Sequence, residues 1–161
     1  MALSNFERLV QLADEVFEVR NDPNQLDINP EVMDKLRKIH PSTISDFDEG
    51  NGPVAWILVI PTTTDLMNKF LEGAVTEKEL FNLTPLNVPY EALYLCSALV
   101  LEEYRRKGVA KKLSLQAIEN IRKEHPLKAL FVWPFTKEGE LAAESLAHVL
   151  GLPLNKFMQP K

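Results

Sequence analysis

One cysteine, Cys96, is the only thiol among these 161 residues, which excludes an internal disulfide and a cysteine-built zinc cluster. Histidine is nearly as scarce: His40, His125 and His148 are scattered with no metal-ligand spacing, so no metal is expected. No apolar run approaches the length that spans a bilayer, and the first residues carry no signal-peptide core. A cytoplasmic protein without a membrane role is the expectation. A basic excess is missing too. The formal net charge of −5 argues against a nucleic-acid binder, which would show a basic face. Neither a Gly-x-x-x-x-Gly-Lys-Ser/Thr phosphate loop nor a three-glycine dinucleotide fingerprint occurs. Repeats, low-complexity tracts and linkers are lacking as well. With 45% apolar and 25% charged residues, the expectation is one ordinary globular domain over residues 1–161.

What is present is a regular alternation of helical and strand patterns. Ser4-Asn-Phe-Glu7 has capping-box form, and Phe6, Leu9, Val10, Ala13, Val16 and Phe17 trace one helical face behind it. Asn21-Asp-Pro-Asn24 breaks that helix. Asn29-Pro30 opens a second helix, with Val32, Met33, Leu36 and Ile39 apolar and Pro41 ending it. Thr43 to Phe47 predicts a short strand, Asp48 to Pro53 a hairpin connection, and Val54 to Ile60 an interior strand stopped by Pro61. Residues 62–89 are less usual. Asp65 to Leu71 and Thr76 to Phe81 read as helices, the second opened by the capping box Thr76-Glu-Lys-Glu79, and Thr84 to Pro89 as a stiff loop. This helical insertion would cover a cleft, form a homodimer contact, or pack on the sheet.

The most informative stretch is Leu99-Val-Leu-Glu-Glu-Tyr-Arg-Arg-Lys-Gly-Val-Ala-Lys-Lys-Leu113. Glu91 to Leu101 is apolar on both faces, as a strand in mid-sheet should be. Val109, Leu113, Leu115, Ile118 and Ile121 then recur at helical spacing. Between them lies a basic turn, Arg105-x-x-Gly108-x-Ala110. A helix start offers N–H groups without intrahelical partners and the positive end of the helix dipole. Gly108 lets the backbone approach a bulky anion, Ala110 keeps the turn slim, and Arg105, Arg106, Lys107, Lys111 and Lys112 add charge. A diphosphate suits such a turn. Taken alone, the turn is more often a solvated basic face; the strand before it and the helix behind it favour the anion site.

Strand, Val-x-x-x-Tyr-Arg-x-Lys-Gly-x-Ala and amphipathic helix together resemble the acetyl-CoA-binding segment of the Gcn5-related N-acetyltransferases. Arg105, Gly108 and Ala110 occupy the defining positions of that family's Gln/Arg-x-x-Gly-x-Gly/Ala pattern. The likeness continues through Lys128 to Trp133 as a strand and Gly139 to Leu150 as a helix closed by Gly151. It implies an α/β (α+β) fold: a central mixed, splayed β-sheet flanked by helices, here with the 62–89 insertion and a shortened C-terminus. It further implies an N-acyltransferase that passes acetyl from acetyl-CoA to an amine by direct attack. The alternative is a non-catalytic module that binds CoA or an acyl-CoA on the same fold. Leu99, Val100 and Leu101 would pair through their backbones with the pantetheine arm. The backbone from Arg105 through Arg106, Lys107, Gly108 and Val109 to Ala110 would hold the diphosphate, with Lys111 at a phosphate or the adenosine end. Val132 to Phe135 would form the facing wall.

The chain departs from the family pattern at three places. A Tyr that the family often sets four residues before the terminal Gly of the last helix, as acid for the thiolate, corresponds to Ala147. His148 beside it points about a quarter turn away. The Glu used as base in the histone-type branch corresponds to Tyr94, a weak catalytic candidate that reads more simply as core; Glu91, further out, would act through water. After Gly151 the tail leaves space for one short strand from Leu152. Cys96 and Trp56 read as core residues, whereas Trp133-Pro134-Phe135 would face the thioester, and Thr62-Thr-Thr64 reads as a helix cap.

Overall fold

The computed structural model describes residues 4, 5, 7, 8, 11, 12 and 30–157, except 49, 106 and 135. The expected contributions of Phe6, Leu9, Val10, Ala13, Val16, Phe17, the Asn21–Asn24 break, Asn29, Arg106 and Phe135 lie outside the described residues. Near the start, Ser4 Oγ accepts from the Glu7 N–H at 3.1 Å, and Asn5, Glu7, Arg8, Gln11 and Leu12 are helical.

Helix α1 (Pro30–Ile39) begins on a proline, which has no N–H to waste at the first helical position. A single 3-10 turn (Pro41–Thr43) follows, and the chain enters β1 (Ile44–Asp48). After the hairpin come β2 (Pro53–Thr62), α2 (Thr64–Leu71), α3 (Glu77–Leu83) and β3 (Ala92–Val100). The remainder alternates: α4 (Val109–Arg122), β4 (Ala129–Val132), α5 (Lys137–Leu150) and β5 (Leu154–Lys156). The five strands form one open mixed sheet in chain order. β1, β2 and β3 are antiparallel neighbours, and β4 and β5 continue parallel to β3.

Strand β2 runs through Pro61 instead of stopping there. A proline has no N–H for the ladder, so it needs a side without a partner. β1 pairs with β2 no further than Leu58, while Thr62 O accepts from the Glu91 N–H on the β3 side. Pro61, one residue back, therefore turns its nitrogen to the unpaired side.

Alternation of side chains divides the core into two layers. Leu58, Ile60, Ala92, Tyr94, Ala129 and Phe131 face α1, α2 and α3. Val59, Leu93 and Leu130 face Ile118 and Ile121 of α4 and Ala147 and Leu150 of α5. The insertion packs on the sheet through Leu66, Met67, Phe70, Leu80 and Phe81. Its helices are cleanly capped: Thr63 Oγ1 accepts from the Leu66 N–H, and Thr76 with Glu79 completes a reciprocal capping box. Phe70 of α2 is the centre of the layer, with ring centroids 5.1 Å from Tyr94, 5.7 Å from Phe131 and 5.0 Å from Phe157.

An ion pair ties the first helical residues to the loop after β3. Arg8 donates from both terminal nitrogens to Glu103, at 2.6 and 2.5 Å. The guanidinium pulls the Glu103 carboxyl from the ordinary 4.5 down to about 2. A depressed folded pKa stabilises above the unfolded value, and that contribution fades as pH falls from about 4.5 toward 2. Glu103→Gln should therefore lower the urea midpoint slightly at neutral pH, with a difference that shrinks on acidification and at high salt. Urea titrations of both proteins at several pH values check it; a difference that grows on acidification would refute the pair's role.

Candidate active-site cleft

Strand β3 is nine residues long and β4 only four, and this mismatch makes the site. Ala92 to Leu95 pair with Ala129 to Val132, and beyond Leu95 the two strands part. Two local features enforce the split. Pro134 follows two residues after β4 and cannot donate to a ladder. On β3, Leu58 pairs with Ser97 but Val59 with Leu95, so Cys96 is an extra residue that bends the strand as a β-bulge.

A cleft of about 610 Å³ fills the split, within the usual range for a ligand pocket. One wall is β3 from Leu95 to Val100. Val132, Trp133 and Pro134 form the wall opposite. Ala110, Lys111 and Ser114 of α4 line it, as do Ala142, Ala143, Ser145 and Leu146 of α5, and Leu12 reaches in from the first helical residues.

Backbone alternation decides which β3 groups face the gap. The Leu101 N–H donates to Val54 O at 2.9 Å, so Leu101, Leu99 and Ser97 turn their amides toward β2. Ala98 and Val100 present theirs to the cleft. Arg105 confirms the direction, because its Nε donates to Val100 O at 3.1 Å. The expectation that Leu99 and Leu101 offer free backbone groups is thus corrected by strand phase. Leu99 still lines the cleft with its side chain, whereas Leu101 is buried.

At the mouth stands the start of α4. Gly108 is its N-cap, at φ 76° and ψ 12°, a left-handed conformation that a side chain disfavours. A Cβ there would touch nothing within 4 Å, so the dihedral angle, not crowding by the protein, calls for glycine. The first intrahelical bond runs from the Lys112 N–H to Gly108 O, which leaves the N–H groups of Val109, Ala110 and Lys111 without helical acceptors. Arg105 and Lys111 line the cleft beside them. Lys107 lies over the Tyr104 ring at 5.4 Å, and Lys112 is exposed. Three orphan donors, a helix dipole and two flanking cations are the elements from which an anion can be held.

Tyr94, the weak catalytic candidate, and the polar residues weighed beside it lie outside the cleft lining. Tyr94 is 1% exposed, does not line the cleft, and donates its hydroxyl to the buried Glu77 Oε2 at 2.6 Å. It ties α3 to the sheet. Ala147 is buried in the layer under α4, and His148 is exposed away from the cleft. Glu91 lies at the opposite end of β3, paired with Lys128 at 2.7 Å. Among the described residues no cluster of three or more His, Cys, Asp or Glu could hold a metal ion, and no helix is long and apolar enough to cross a membrane.

Sequence reasoning missed Ala98, Ser114 and the α5 residues that close the cleft. Ser114 was legible: it stands four residues after Ala110, on the same stripe of α4. Ala98 was not, because strand phase depends on the bulge at Cys96. Cys96 itself is half-buried on the cleft wall, not enclosed in the core. A maleimide probe should label it in the free protein, and saturating acetyl-CoA should slow that labelling severalfold. Unchanged labelling kinetics would mean that the ligand does not lie against β3.

The sheet is mixed and parts between its parallel strands β3 and β4, with a cationic helix start at the split. Residues 7–152 match the model of the acetyltransferase (GNAT) family. The chain belongs to that family, whose general function is acetyl transfer and whose usual co-substrate is acetyl-CoA. No curated protein and no solved structure matches it.

Proposed function

We propose that the protein binds acetyl-CoA in the split of its sheet and transfers the acetyl group to an acceptor amine by direct attack. The observation that carries this reading is the cleft running from the orphan N–H groups at the start of α4 to the open edge of β3. Val109, Ala110 and Lys111 donate to the diphosphate through their backbones, with Gly108 setting the turn and Arg105, Arg106 and Lys107 supplying charge. Ala98 and Val100 take the pantetheine amides as an added strand. The bound thioester supplies an activated carbonyl carbon.

This chain's residues then act by orientation. Trp133 and Pro134 line the cleft just past the point where β4 parts from β3, and its walls there align amine and carbonyl. The C–N bond forms as the C–S bond breaks, the ammonium loses a proton to water, and the thiolate gains one. With Tyr94 and Ala147 both outside the cleft, no side chain is assigned as acid or base.

Those two placements also favour a second reading, an acyl-CoA-binding module without transfer. Turnover separates the readings. Release of free thiol from acetyl-CoA is followed with a panel of polyamines, amino acids and lysine peptides. Acceptor-dependent release with one amine class supports transfer. Tight binding without release from any of them supports the module.

A further inference from the structure

Ser114 is a hydroxyl in the wrong place for the free protein. It lies on the second turn of α4, is 6% exposed, and lines the cleft. A helical serine so buried ordinarily bonds back to the carbonyl four residues earlier. Here the hydroxyl has no hydrogen-bond partner among the described residues. A buried polar group left unpaired is a cost, and apolar alanine would avoid it at that position with better helix propensity.

We infer that Ser114 is a ligand contact, a hydrogen-bonding group for the uncharged, amide-bearing arm that follows the diphosphate. This rests on the acyl-CoA reading above and adds a residue to it. The orphan N–H groups of Val109, Ala110 and Lys111 serve the anion. Ser114 stands one turn further along α4, about 6 Å beyond Ala110 at 1.5 Å per residue. Ala110, Val132, Ala143 and Leu146 are among the apolar residues of the same cleft. The orphan N–H groups and the cations gather at the first turn for the anion, and a single hydroxyl one turn on suits a neutral amide or hydroxyl. The hydroxyl meets its partner only when the pantetheine segment is bound, so it discriminates CoA thioesters from nucleotides that lack that arm.

The test compares wild type and Ser114→Ala by calorimetry with CoA and with ADP, which carries the diphosphate alone, and by thermal melting of the free proteins. The free variant should melt higher, by about 2–4 °C. Its affinity for CoA should fall about 5- to 10-fold, the worth of one neutral hydrogen bond, with affinity for ADP unchanged. A lower melting temperature would mean that the hydroxyl supports the free fold, and would overturn the assignment. So would unchanged CoA affinity, or an equal loss for ADP. If wild type binds neither CoA nor ADP, the acyl-CoA reading fails and takes the Ser114 assignment with it. If wild type binds CoA and the variant binds it equally, only the assignment fails.

Discussion

Replacing Phe70 by alanine should destabilise the protein by about 3–5 kcal/mol, the usual cost of removing a buried phenylalanine ring. Phe70 is 1% exposed and lies among Tyr94, Phe131, Trp133 and Phe157, with centroid distances of 5.0 to 6.3 Å. Packed rings around a cavity of that size relax only in part, so transfer and cavity terms both count. In a chain of this length the melting temperature should fall by about 10 °C. The effect reaches the site, because Trp133 both contacts Phe70 and lines the cleft. CoA binding should weaken as the melting temperature drops. A loss below about 1 kcal/mol, well under the range for buried aromatics, would show that α2 is not integral to the core.

The second large effect belongs to the anion site. Arg105→Glu combined with Gly108→Asp should weaken CoA binding by about 100-fold or more, since it exchanges a charge-assisted contact for two repulsive carboxylates. The fold should survive. Arg105 is exposed, and a Cβ at position 108 meets nothing within 4 Å. Strain at the left-handed angle limits the cost to about 1–2 kcal/mol. A calorimetric titration alongside a melting curve separates the two quantities. Equal CoA affinity in the double variant would remove the diphosphate from the start of α4.

The layers of this fold were largely legible in the sequence, because hydrophobic period and capping chemistry act locally. Thr76 and Glu79, three residues apart, marked the start of their helix as a capping box, and Gly151 closes α5 at φ 68° as a terminal glycine should. Pro61 misled, since its effect depends on where β1 stops and not on its own neighbours. The insertion's helices were visible, but only the complementary faces of Tyr94 and Phe131 decide that they pack on the sheet.

At the site, the anion turn was legible because it is one contiguous motif. The β3 wall was only half so. Hydrophobic pattern marks the strand, but the phase of its amides follows from long-range pairing with β2 and from the Cys96 bulge. Tyr94 was found by counting along a family pattern. Its real partner, Glu77, comes from the insertion, which that counting does not cover.

The central claim is that the split between β3 and β4 binds a CoA thioester, and a calorimetric titration of the wild-type protein with acetyl-CoA tests it most directly. The account predicts one site per chain with micromolar affinity, weakened by added salt because the diphosphate end is charged. No heat and no shift in melting temperature at millimolar acetyl-CoA would contradict it.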